Sequence, residues 1–474
     1  MRRNVGQPRR GRVAGASAAQ RERPTFARDP LRMALFALIV VSVGRVHKVM
    51  HIGFLHPAML LFLIAAGCAA LNPRLLVHDN VFRFWPAKVI AGLLIFACIS
   101  APFGLSLGAS GMFILTDFAK VVVYTLLIMM VIRDASDLRM FIWAYVVSCA
   151  ALVWMAVFIF RLQITGSGMA RLSNMYTYDA NDLGCVLVTG LPLTVLAFQA
   201  SRRRGKIVCG ILLAGIGLAL ARSGSRGAFL GLAVVGVAIL VALKEVPVQK
   251  RIAFVGVMAV VLLLAAPRGY WEQMQTLLQP TQDYNWTSQT GRKEVWERGL
   301  GYMAKHPIFG LGISNFGRAE GTVSERARDY MPGEAGIKWT APHNSFIEAG
   351  SELGIPGLIL WSSLVLGGIV TALRFRKRLP ESWLHGDRDQ RTIYLTSVYL
   401  PIAFIGFAVT GFFVSFAWVD PIYILAAYMV ALHRSAQNKL RSMSEAAPAE
   451  LPSRRIRPPA SPRARALRHG RGAR

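Results

Sequence analysis

The sequence predicts an all-α integral membrane protein of about 12 transmembrane helices with one large helical loop outside the membrane. Three observations predict it. Of 474 residues, 54% are hydrophobic and only 17% charged, with mean hydropathy +0.43, too apolar for a water-soluble chain of this length. The apolar residues gather into runs close to the ~20 needed to cross ~30 Å of hydrocarbon as a helix. Lys and Arg, finally, are dense in alternate loops and in both tails, which is how topology is encoded in membranes.

The runs cover approximately 31–45, 52–71, 87–105, 115–132, 139–160, 183–200, 206–222, 226–243, 250–266, 354–373, 393–413 and 418–434. They divide the chain into a basic tail (1–30), nine spans (31–266), a polar loop (267–353), three spans (354–434) and a second basic tail (435–474). Placing the N-terminus inside puts both tails and the more basic loops in the cytoplasm and turns 267–353 towards a periplasm. The tails combine Arg with Pro, Ala, Ser and Gly and have no apolar period, so they are expected to be disordered and to lie near anionic headgroups. The net charge of +29 is then a topology signal, and no nucleic-acid partner is expected. The five cysteines sit in or beside apolar runs without CxxC spacing, as buried thiols do, and the first 30 residues lack the apolar core of a cleaved signal.

In the polar loop, Thr290 is expected to cap a helix reaching Lys305, with Arg292, Trp296, Leu300 and Met303 on one face and Pro307 stopping it. A second helix is expected to start after Thr340 or Ala341, with Pro342 in its first turn, and to end at Gly354. Between them, 308–341 is rich in Gly and charge and is expected to be a mobile crossing. His343 then falls at a helix N-terminus, whose positive end disfavours imidazolium and attracts anions. That makes it the candidate general base.

Arg222-Ser223-Gly224-Ser225-Arg226-Gly227 joins two spans on the outward side. Two guanidiniums around a Gly/Ser turn with free N–H groups suit a phosphate at headgroup depth. Snorkelling is the plainer account of such arginines, but the positive-inside rule disfavours them on this side. Arg292 adds a third outward cation. His306, before Pro307, is expected to be structural. Asp387-Arg388-Asp389 spells a DxD metal motif but falls in a loop assigned to the cytoplasm, away from every other candidate, so no metal or cofactor is expected. Asn285-Trp286-Thr287 matches a glycosylation sequon, a pattern common by chance. There is no Walker A loop, HExxH or GxSxG, and acidic residues are scarce within the runs, which counts against proton-coupled transport.

Arg-Ser-Gly-Ser-Arg-Gly-Ala at 222–228, Gly-Arg-Lys-Glu-Val-Trp at 291–296, His-Pro-Ile-Phe-Gly-Leu-Gly at 306–312, Pro-His-Asn-Ser-Phe at 342–346 and Glu-Leu-Gly at 352–354 occur in that order. Together they resemble the O-antigen ligase and O-antigen polymerase superfamily. The resemblance covers about 170–375 at motif level, and the twelve-span layout with one large periplasmic loop extends it. It implies a GT-C-like enzyme of the bacterial inner membrane that uses neither metal nor nucleotide. Its donor would be a glycan on undecaprenyl pyrophosphate, and its acceptor a saccharide hydroxyl, lipid A-core or similar and lipid-anchored, at the periplasmic face. By position, the resemblance implies that Arg226 and Arg292 bind the pyrophosphate; Arg222, four residues from Arg226, is a helper outside the family's firm positions. His343 would deprotonate or orient the acceptor hydroxyl beside Asn344, a substrate-binding position. Arg171, with Asn181 and Asp182, matches a looser part of the pattern. A polysaccharide polymerase, a protein O-oligosaccharyltransferase and a flippase or exporter of lipid-linked sugar are the competing readings.

Overall fold

A computed structural model of the chain describes residues 29–446, apart from 51, 78, 165–167, 174, 176–177, 243–245, 280, 282–285, 287, 289–290 and 329–338. The tails beyond, Asn285 and Thr287 of the sequon, Thr290 and part of the crossing at 308–341 lie outside the described residues. The elements used below are α1 (Pro30–Gly44), α2 (Gly53–Leu71), α3 (Trp85–Phe103), α4 (Leu107–Val131), α5 (Ala135–Ile159), β1 (Leu162–Ile164), β2 (Ala170–Leu172), α6 (Ala180–Ala200), α7 (Arg203–Ser223), α8 (Arg226–Ala242) and α9 (Val248–Ala265). They continue with α10 (Tyr270–Gln275), α11 (Arg292–Lys305), α12 (Phe316–Thr322), α13 (Ser345–Arg376), α14 (Arg388–Gly411) and α15 (Asp420–Ala446).

A helix occupies each of the twelve apolar runs, and among the described residues nine helices are long and apolar enough to cross a membrane. The protein is a helical, multi-pass membrane protein. The helices α6 and α14 form its centre: 83% of the apolar stretch of each is buried, against 11% for α2 and α9, whose apolar surfaces are left for lipid. Asp179 caps α6 through the N–H groups of Asn181 and Asp182, both at 2.7 Å, and Asp387 caps α14 through those of Asp389 and Gln390, both at 2.9 Å. The DxD sequence is therefore a helix cap, with Asp387 also paired to Lys439 at 2.6 Å and Asp389 to Arg139 at 3.5 Å.

The expectation of an all-helical chain needs one amendment. The segments β1 and β2 pair antiparallel in the register Leu162 with Leu172 and Gln163 with Arg171. This hairpin is welded to the start of the polar loop: Met169 packs with Tyr270 and Met274, and the Ala170 N–H donates to the Arg268 carbonyl at 3.1 Å.

The polar loop has its own small core of Val295, Tyr302, Leu311, Phe316 and Ala319. An ion pair locks it. Arg298 forks onto the buried Glu320 carboxylate (Nε to Oε1 2.9 Å, Nη2 to Oε2 2.7 Å), which also accepts from the Tyr302 hydroxyl at 2.9 Å. This pairing holds α11 against α12. The helix α11 starts at Gly291 as N-cap and presents Arg292, Trp296, Gly299 and Met303 towards α13, since a Cβ on Gly299 would meet Ile347 and one on Gly350 would meet Met303. Leu300, expected on that face, is 50% exposed, because the true face steps by three from 296 to 299.

The second loop helix ends at Leu353–Gly354, as expected, and the tenth span starts directly after it, so α13 is two helices joined at a kink. In α13 the helix is broken only at Leu353 and Gly354, where Gly354 adopts φ +65°, ψ −170°, a region open essentially to glycine alone. The His306–Gly312 segment lies in that break. Leu311 N–H donates to the Ser351 carbonyl (2.9 Å) and Ile355 N–H to that of Pro307 (2.8 Å). The His-Pro-Ile-Phe-Gly-Leu-Gly sequence is thus a clamp on the kink. It reaches α3 and α4 as well: Ser100 Oγ donates to the Phe309 carbonyl at 2.6 Å, and Ser110 Oγ to that of Ile313 at 2.9 Å.

Candidate functional site

The Gly/Ser sequence between α7 and α8 folds as a tight turn. Gly224 ends α7 at φ +57°, with its missing Cβ replaced by the methyl end of Met169, and Ser225 Oγ accepts the Ala228 N–H at 3.2 Å to cap α8. Arg226 is the first residue of α8 and donates through Nη1 to Thr276 Oγ1 at 2.7 Å, just past α10. Arg171, on β2 beside Gly224, is mostly buried. Burial holds its guanidinium below its ordinary value, with Asp179 opposing and the nearby Arg226 adding to the effect. Arg171 and Arg226 thus lie near enough for their charges to act on one another. Arg222 turns elsewhere, donating through Nη2 to the Phe160 carbonyl at 3.2 Å, where it closes the end of α5. Asn181 and Asp182 belong to the cap of α6.

Arg292 approaches the same place from the polar loop. Its Nη2 lies 3.4 Å from the Phe413 carbonyl and its guanidinium 5.5 Å from the centre of the Phe413 ring. Phe413 in turn packs on Gly227, where a Cβ would stand 2.7 Å from that of Phe413. The turn between α14 and α15 is therefore seated on the first turn of α8 and under Arg292.

His343 reaches this turn as well. Its N–H donates to Ser415 Oγ at 3.0 Å, while Ser345 Oγ donates to the Val414 carbonyl (2.8 Å) and accepts the Phe416 N–H (2.9 Å). The helix begins later than expected: Asn344, not a residue near Pro342, is the N-cap, with Oδ1 accepting from Phe346 and Ile347 at 2.9 and 3.2 Å. An Asn side chain satisfies two orphan N–H groups, which a proline at the first turn cannot do, and that fixes the boundary. His343 precedes the cap at φ +46°, strained backbone for a residue with a Cβ. The Pro342 carbonyl accepts from Trp296 Nε1 at 2.9 Å, so α11 grips the histidine segment directly.

Residues 412–416 are consequently the hub that the Arg226, Arg292 and His343 segments share. Two carboxylates fasten it, Glu352 buried and Glu348 half-buried. Glu348 Oε2 accepts the Ala417 N–H at 2.9 Å, and Glu352 accepts from Trp418 Nε1 (2.8 Å) and from the N–H groups of Ser314 (2.7 Å) and Phe316 (3.0 Å). Behind the hub, Tyr178 packs on Phe416 and carries the Arg45 guanidinium 3.8 Å above its ring, a further cation that no motif marked. The sequence reading also missed Thr276, Phe413 and Ser415. Only the last had a signal, a lone hydroxyl in the apolar run Phe412-Phe413-Val414-Ser415-Phe416.

Residues 210–362 match the family model described as O-Antigen ligase. The match covers about a third of the chain and supports an O-antigen ligase-like character for that region. The match runs from α7 to the part of α13 beyond its kink, so the O-antigen ligase-like region contains Arg222, Arg226, Arg292, His343 and Asn344. Arg171 and the hub at 412–416 lie outside it. No curated protein matches the chain.

Proposed function

We propose that the chain transfers a glycan from an undecaprenyl-pyrophosphate carrier to an acceptor hydroxyl at the periplasmic face of the inner membrane, as an O-antigen ligase does. One observation carries this reading: the backbone segments bearing Arg226, Arg292 and His343, up to 117 positions apart in sequence, all close on residues 412–416. A lipid pyrophosphate is already a good leaving group, so the enzyme mainly needs fixed cations on the departing oxygens and a base at the incoming hydroxyl. Arg226 and Arg292 would hold the pyrophosphate, with Arg171 adding charge beside Arg226. His343 would take the acceptor proton as the new bond forms at the anomeric carbon and the bond to the pyrophosphate breaks, with inversion. In this role arginine replaces a metal. Asn344, through Oδ1, holds the helix that presents the histidine, and Arg222 supports the fold of the turn.

Purified protein, a lipid-pyrophosphate oligosaccharide of defined structure and a panel of acceptors test the proposal. Transfer to a lipid A-core saccharide is the expected result. Elongation of a second lipid-linked glycan instead would make the protein a polymerase, and carrier translocation without any new glycosidic bond would sink the transferase reading altogether.

A further inference from the structure

Some 30 Å from the Arg171 end of α6, one helix length away, a different pair of cavities meets. One, of about 900 Å³, lies between α6, α7, α9 and the start of α14, and is walled by apolar side chains including Leu213, Phe254, Val257 and Met258. Its size is at the upper end of small-molecule sites. The other, of about 520 Å³, is lined by Arg139, Arg202, Arg388 and Arg391, and the two share Gly386 and Arg391. Among the described residues, neither lining includes an Asp or Glu, and Lys206, Lys250 and Arg251 add to the rim of the apolar one.

Two of the four arginines are held in place: Arg139 Nη1 donates to Thr392 Oγ1 at 2.9 Å and pairs with Asp389 at 3.5 Å, and Arg391 Nη2 donates to the Gln199 carbonyl at 3.0 Å. An apolar chamber that opens into a cluster of guanidiniums matches one kind of molecule, a lipid whose chains are hydrocarbon and whose headgroup is a phosphate. The face concerned is the one that the distribution of Lys and Arg assigns to the cytoplasm, where anionic phospholipid is the abundant form of that chemistry.

We propose that this pair of cavities is a binding site for an anionic phospholipid of the inner leaflet, with acyl chain in the apolar chamber and phosphate among Arg139, Arg202, Arg388 and Arg391. The site is separate from the Arg226–His343 region, and the proposal stands whether or not the protein transfers glycans.

The test is native mass spectrometry of the full chain, purified in detergent and mixed with micelles of phosphatidylglycerol or of phosphatidylcholine with the same acyl chains. Phosphatidylglycerol should be bound roughly tenfold more tightly, a difference of about 1.4 kcal/mol. The exposed double substitution Arg202→Gln and Arg391→Gln should erase that preference. Ala214→Trp, which fills the chamber and leaves the arginines intact, should reduce retention of both lipids. Equal retention of the two lipids by the wild type, or an undiminished preference in the double variant, would overturn the proposal. So would stronger retention of a polyprenyl phosphate than of phosphatidylglycerol, which would give the chamber a different occupant.

Discussion

Gly354→Ala attacks the break in α13 into which the His306–Gly312 segment is clamped. The residue sits at φ +65°, ψ −170°, where an alanine costs ~1–3 kcal/mol in backbone strain alone. Its new Cβ would lie 2.5 Å from the Ile308 oxygen and 2.7 Å from that of Pro307, both backbone atoms that cannot swing aside. Overpacking of that kind adds ~1–3 kcal/mol. The expected loss is therefore ~2–6 kcal/mol, the sum of these two ranges. Gly310→Ala meets the same contact from the other side, at φ +66° with its Cβ 2.5 Å from the Glu352 carbonyl, so the double variant should lose less than the sum of the singles. Gly301→Ala is the control. It lies within α11 with nothing inside 4 Å of the added methyl, and should be neutral or gain ~0.5–1 kcal/mol from helix propensity. Denaturant titration of the wild type and these variants, purified in one detergent, is the assay. A Gly354→Ala protein as stable as Gly301→Ala would refute the clamp described for His306–Gly312.

Other outcomes follow from the same geometry. Arg226→Ala and Arg292→Ala should each lower transfer from the lipid-pyrophosphate donor by ~10²–10³-fold, as expected for groups that stabilise developing charge, and Lys should rescue poorly if phosphate contact is bidentate; wild-type rates in both would remove them from the mechanism. His343→Ala should abolish product while carrier-linked donor accumulates, whereas a flippase should lose little by the change. Arg298→Ala strands the Glu320 carboxylate, 1% exposed, with the Tyr302 hydroxyl as its remaining side-chain donor among the described residues, and should loosen the loop by ~3 kcal/mol; faster hydrogen exchange confined to α11 and α12 is the readout. Transfer should survive a chelator, and strict divalent dependence would reopen the question of Asp387 and Asp389.

The helices were legible because their information is local. Apolar length gave each run, Gly354 marked the break in α13, and Arg292 to Lys305 had period and a proline stop enough to be seen, although Gly291 and not Thr290 is its N-cap. What was illegible depends on contacts distant in sequence. The β1–β2 hairpin has three-residue strands, the first exposed at every position, so it offers no alternation to detect. Asn344 displaced Pro342 as the start of α13 because two cap hydrogen bonds outweigh proline's preset φ, a competition the residue pattern leaves undecided. Residues 412–416 read as apolar chain between two closely joined spans, and nothing local says that they carry the Arg292 and His343 segments. Glu352 read only as part of the Glu-Leu-Gly motif, and Glu348 carried no signal. Hydrogen bonds from Ala417, Trp418 and the 314–316 backbone make them structural.

The central claim is that cations supplied from separate parts of the chain grip a lipid pyrophosphate while the histidine acts on the acceptor. Equilibrium binding of undecaprenyl pyrophosphate to purified protein tests it most directly, because it isolates the first role from the second. The account predicts that the Arg226→Ala/Arg292→Ala double variant binds at least 100-fold more weakly than the wild type, about 2.7 kcal/mol, while His343→Ala binds as the wild type does. Undiminished binding by the double variant would contradict it.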